Sequence, residues 1–170
     1  MRACVFVALF VVGCSNGSSS SCPLKGTGTA SITSIDTPSS WFSAPATTDC
    51  TSGAAVNTAE SQREATFEGS QFELFVRLRS DDTGTGARTA GGFNLAPGTA
   101  GISAHFINDA GVAAEYDNIA DAGTITITSN SDTLAGSFDS IHLEQSACSS
   151  ASCAGAPSSP TISGTFSAKY

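Results

Sequence analysis

Few side chains in the 170-residue sequence are of a type and spacing that could do chemistry. The closest approach to a nucleophilic serine is Gly101-Ile-Ser-Ala-His105. It lacks the second Gly of a Gly-x-Ser-x-Gly elbow and lies in a strand pattern instead of at a strand-to-helix turn. His105 and His142 each occupy an alternating strand position, where an imidazole is more often a surface or core-edge group than a ligand; a metal shared by both would also need carboxylates. Asp81-Asp82, and Glu115 with Asp117 and Asp121, are paired acids of the kind used in acid–base catalysis or calcium binding. Neither group follows the spaced Asp/Asn/Glu loop of a calcium site. The expectation is therefore no catalytic residue, no metal and no cofactor, and a protein that is not an enzyme. Trp41-Phe42, in a Pro- and Ser-rich loop, is the better binding candidate. It would either offer a stacking face to a sugar, making a glycan-binding module, or fold back to plug the end of a sandwich, the commoner outcome for a single Trp.

The remaining reactive side chains are six cysteines. Met1-Arg2 leads into an apolar run, Ala3 to Val12, too short to span a bilayer but suited to a signal-peptide core. Its end, Val11-Val12-Gly13-Cys14, resembles the lipobox of bacterial lipoproteins. That resemblance implies cleavage after residue 13 and a lipidated Cys14, hence a membrane anchor, and a place in the bacterial cell envelope, at the outer membrane or cell surface. Ser15-Asn-Gly-Ser-Ser-Ser-Ser21 has nothing apolar to bury, so residues 14–21 read as the lipidated cysteine and a flexible tether. As a coil it would span about 15 Å. Cys4 leaves with the leader, so Cys22, Cys50, Cys148 and Cys153 remain, an even number in an oxidising compartment. Three connectivities are possible, and proximity favours Cys22 with Cys50 and Cys148 with Cys153. In the chain-entropy view these bridges stabilise by roughly 3.5 and roughly 2 kcal/mol. A four-cysteine zinc site needs two closely spaced pairs, and only Cys148 with Cys153 approaches that.

Residues 22–170 suffice for one hydrophobic core and are too few for two ordinary domains. The formal charge is −8, and −9 once Arg2 is gone, which argues against nucleic acid and against adhesion to anionic lipid through charge.

Strands must position all of these residues. Leu134-Ala-Gly-Ser-Phe138-Asp-Ser and Ile162-Ser-Gly-Thr-Phe166-Ser-Ala repeat one template, alternating as a half-buried strand does. Gly136 and Gly164 then mark kinks, bulges, or places where a neighbouring Phe lies across bare backbone. Counting the two that carry the template, strands are predicted at 27–35, 64–68, 72–79, 102–108, 112–116, 124–128, 133–145 and 161–170. Residues 36–57 read as a long irregular connection, pinned by Cys50. Phe93-Asn-Leu-Ala-Pro-Gly98 is a strand end entering a type II turn. The resulting expectation is all-β: a single antiparallel β-sandwich or small barrel of eight to nine short strands, ending in a three-stranded meander.

The ending Gly123-Thr-Ile-Thr-Ile-Thr, a polar turn and the two template copies, with Phe93–Gly98, resembles bacterial lipoprotein domains of unknown function thought to be all-β. The resemblance implies fold and export and transfers no site residue. The expected role is a membrane-anchored structural or protein-interaction domain, contacting an envelope protein or, in the alternative, a polysaccharide through Trp41 and Phe42.

Overall fold

The computed structural model describes residues 27–48, 50–57, 61–92, 95–119 and 123–170, with 50–57 described for the backbone alone. The leader, Cys14, the tether, Cys22, Phe93 and Asp121 lie outside the described residues, and with them the expected anchor and Cys22–Cys50 bridge.

The fold is all-β, with no helix among the described residues. Its strands are β1 (Gly28–Ile35), β2 (Ala46–Thr47), β3 (Cys50–Asn57), β4 (Gln62–Glu68), β5 (Phe72–Arg79), β6 (Gly86–Ala90), β7 (Thr99–Ile107), β8 (Ala113–Asn118), β9 (Thr124–Asn130), β10 (Thr133–Cys148) and β11 (Thr161–Lys169). The described residues form eleven strands where eight or nine were expected. Two of them, β2 and β3, occupy the stretch read as an irregular connection. Cys50 to Asn57 is built of small residues with no apolar alternation, so pairing with β4 makes this strand and no hydrophobic stripe announces it.

The sheet runs β2-β1-β11-β10-β9-β6-β7-β5-β4-β3, while β8 pairs with both β7 and β10. Strands β7, β8, β10, β9 and β6 thus close a circuit of five pairings. Direction cannot alternate all the way around an odd ring, so one pair must be parallel. That pair is β6 with β7, through Thr89↔Thr99 and Ala90↔Ala100, and it corrects the expectation of an antiparallel sheet throughout. The circuit depends on β10 changing partners. Its Leu134–Asp139 half pairs with β9 and its Leu143–Cys148 half with β8. Between them the register with β11 slips from Phe138 to Ile141, and Ser140 takes a positive φ of 55°, a bulge that bends the strand.

The two template copies lie side by side in β10 and β11, with Gly136 opposite Phe166 and Phe138 opposite Gly164. A Cβ on Gly136 would stand 2.8 Å from Phe166 Cζ, and one on Gly164 would stand 2.5 Å from Phe138 Cζ. Each ring therefore lies across the other copy's bare backbone. Both rings are buried, and Phe166 meets Phe67 of β4 with centroids 6.4 Å apart, tying β11 to a strand far along the sheet. On β5, Phe72, Leu74, Val76 and Leu78 enter the same core, as their alternation predicts.

Candidate functional site

Because β5 buries its even-numbered residues, Glu73, Phe75, Arg77 and Arg79 face outward. Register then sets three rows across neighbouring strands: Glu64, Arg77 and Gly101; Thr66, Phe75, Ser103 and Asp117; Glu68, Glu73, His105 and Glu115. Arg77 Nε donates to Glu64 Oε2 at 2.6 Å, and its Nη1 donates to Ser103 Oγ at 2.8 Å. Ser103 Oγ donates in turn to Asp117 Oδ1 at 2.6 Å. His105 Nδ1 lies 2.8 Å from Glu73 Oε2, while its ring packs on Phe75 at 4.8 Å. Burial, and then the Glu73 charge, hold the Glu68 carboxyl above the usual carboxylate range.

This face gathers Ser103, His105, Glu115 and Asp117, four residues singled out in the sequence, yet does not assemble them for nucleophilic attack. Activation of a serine requires an imidazole on its hydroxyl. Ser103 is instead held between a guanidinium and a carboxylate, and His105 turns to Glu73. His142, on β10, meets only a cross-strand hydroxyl, Thr161 Oγ1, at 3.2 Å. No cluster of three metal-binding side chains occurs among the described residues.

Asp81 and Asp82 lie on the β5–β6 connection, each gripped by one arginine. Arg79 Nε and Nη2 reach Asp81 at 2.8 and 2.6 Å, and Arg88 Nε and Nη2 reach Asp82 at 2.7 and 2.9 Å. These charged hydrogen bonds hold both carboxyls below their usual range. With their oxygens already on arginines, the two acids are a loop clamp and not a ready cation pair. A hollow of about 250 Å³ opens beside them, bordered by Pro97 and Gly98. That Pro-Gly pair forms the expected turn, with Thr99 N donating to Ala96 O at 3.1 Å and Gly98 at φ 78°.

Trp41 and Phe42 are 9 % and 2 % exposed. Phe42 packs 4.7 Å from Phe106 and 5.5 Å from Phe72, and Tyr116 lies 5.2 Å from Phe106. A sugar platform needs an open ring face, so the glycan-binding assignment of Trp41 and Phe42 is corrected: they plug the core. The loop after β10 closes over them. Cys148 and Cys153 are bridged with Cα atoms 5.9 Å apart, Tyr116 Oη donates to Pro157 O at 2.6 Å, and Ser40 Oγ donates to Gly155 O at 3.4 Å. Burial pushes the Tyr116 hydroxyl above its ordinary pKa. Cys50 opens β3 opposite Glu68, and its thiol lies outside the described side chains.

Sequence reasoning missed β3 and its place at one end of the pairing path. This strand pairs with β4 and no other described strand, and it approaches β1 and β11 without pairing with them. All eight of its residues are uncharged and none is Pro, whereas edge strands are usually blunted by charge, proline or brevity. The opposite edge, β2, is only two residues long. Freedom from charge and proline over 50–57 was the one signal in the sequence. No protein-family model, no curated protein and no solved structure matches the chain.

Proposed function

We propose that this chain is a lipid-anchored envelope protein whose β domain acts by contact, accepting an extended segment of another envelope protein along β3. Residues 1–13 are its leader, Cys14 carries the lipid, residues 14–21 tether a domain spanning 22–170, and Cys22 bridges Cys50. In this reading the sheet folds over as a sandwich with β9, β10 and β11 as its closing meander. The observation that carries the proposal is the uncharged strand β3, which pairs with β4 and with no other described strand, so that its far side can offer N–H and C=O groups to an added strand. No catalytic step is required of any residue.

Two adjacent proline variants test it. Along an edge strand, successive N–H groups point alternately to the neighbour and away, so of Ala54→Pro and Ala55→Pro one removes an outward donor and the other breaks the β3–β4 ladder. The outward variant should melt like the parent and lose photo-crosslinking, from a probe within β3, to its membrane partner. A crosslink that persists in that variant would overturn strand addition.

A further inference from the structure

The geometry points to a domain that is electrically polarised along its strands and stands on an anionic lipid surface, acidic end outward; this rests on the lipid-anchored reading. The chain arrives from the tether at Thr27, whose carbonyl accepts a hydrogen bond from Lys169 N at 2.9 Å. The basic side chains collect at the same end. Arg63 lies 5.8 Å over the Tyr170 ring and donates to Asn130 Oδ1 at 3.3 Å, and Asn130 Nδ2 donates to Asp82 O at 2.7 Å, beside Arg88. Arg79 pairs in register with Gln62, next to Arg63.

Four of the five basic residues among the described residues, Arg63, Arg79, Arg88 and Lys169, thus share one end with three acids, Asp81, Asp82 and Asp132. The other nine described acids, Glu68, Asp109 and Glu144 among them, lie further along the strands or at the opposite loops, with Arg77 as their only base. The near end therefore carries about +1 and the remainder about −8 by this formal count.

The potential of an anionic leaflet falls off within a Debye length, about 8 Å at physiological salt, whereas β1 alone is about 26 Å long. One end at a time feels the surface. The near end is weakly attracted, the acidic remainder is strongly repelled, and the tether joins at the attracted end. Charge acts here to orient, while the lipid supplies adhesion.

The only Trp in the chain, Trp41, lies at the far end and reports orientation without any label on the protein. The mature lipidated chain is placed on vesicles carrying a dansyl headgroup acceptor, either all phosphatidylcholine or with one part in three phosphatidylglycerol. Energy transfer from Trp41 should be about twofold lower on the anionic vesicles at physiological salt, and the difference should vanish in about 1 M salt, where screening shortens to about 3 Å. Equal or higher transfer on anionic vesicles, with the protein floating alongside them, would overturn the orientation and leave the anchor standing. Failure to float, or flotation unchanged by Cys14→Ser, would overturn the anchor and the orientation together.

Discussion

The crossed pair of phenylalanines and glycines gives the sharpest stability prediction. Phe138 is 2 % exposed and lies over Gly164, so Phe138→Ala removes a buried ring and leaves a void between β10 and β11. The expected loss is about 3–5 kcal/mol, much of the stability of a domain this size, with melting lowered by about 10–20 °C. Gly164→Ala acts from the opposite side. Its methyl would stand 2.5 Å from Phe138 Cζ and would also meet the Ser31 carbonyl oxygen, for a cost of about 1–3 kcal/mol. When both changes are made, the ring clash disappears and the methyl enters the vacated space, while the Ser31 contact remains. The double variant should therefore be more stable than the sum of the single losses implies, by about 1 kcal/mol or more. Equilibrium denaturant unfolding of the oxidised mature chain, followed by circular dichroism and by Trp41 fluorescence with coincident transitions, measures the cycle. Additivity within about 0.5 kcal/mol, or parent-like stability of Phe138→Ala, would refute the crossed packing.

Asp82→Asn should cost about 2 kcal/mol near neutral pH by leaving Arg88 without its carboxylate. The folded-state pKa of Asp82 lies below its ordinary value of 3.8, so its contribution is complete above that value and is lost as pH falls through the folded one. The variant should accordingly show a shallower acid dependence of stability below pH 4, read from urea midpoints across pH. Tyr116→Phe should cost about 1–3 kcal/mol through the orphaned Pro157 carbonyl, seen as faster proteolysis of the 149–160 loop. Because burial raises the Tyr116 pKa from 10.0, the parent should lose stability as pH rises past that value while the Phe variant loses less. Replacing Cys148 and Cys153 together by Ser should lower stability by about 2 kcal/mol, measured against the oxidised parent under identical conditions.

The strands with a hydrophobic face were legible. The alternation of β5 and the template shared by β10 and β11 state which side is buried, and of the three readings open for the template's glycines, a kink, a bulge or a ring on bare backbone, the structure shows the last. Strand β3 was not legible, because small uncharged residues carry no period and its partner β4 lies later in the chain. The parallel contact of β6 with β7 could not be read locally either. It follows from closure of a five-strand circuit, a property of the whole sheet. Trp41 and Phe42 were legible as an aromatic pair in a loop, but whether such a pair faces water depends on the Phe72, Phe106 and Tyr116 rings that three distant strands bring beneath it. Cys148 and Cys153 are bridged as their proximity predicts.

Amide hydrogen exchange over residues 50–57 reads whether β3 is an edge awaiting a strand. In the purified chain only the N–H groups facing β4 should be slow to exchange. In native envelope membranes the alternate, outward-facing amides of the same strand should become protected as well. Identical exchange of those outward amides in the two settings would rule out strand addition on β3.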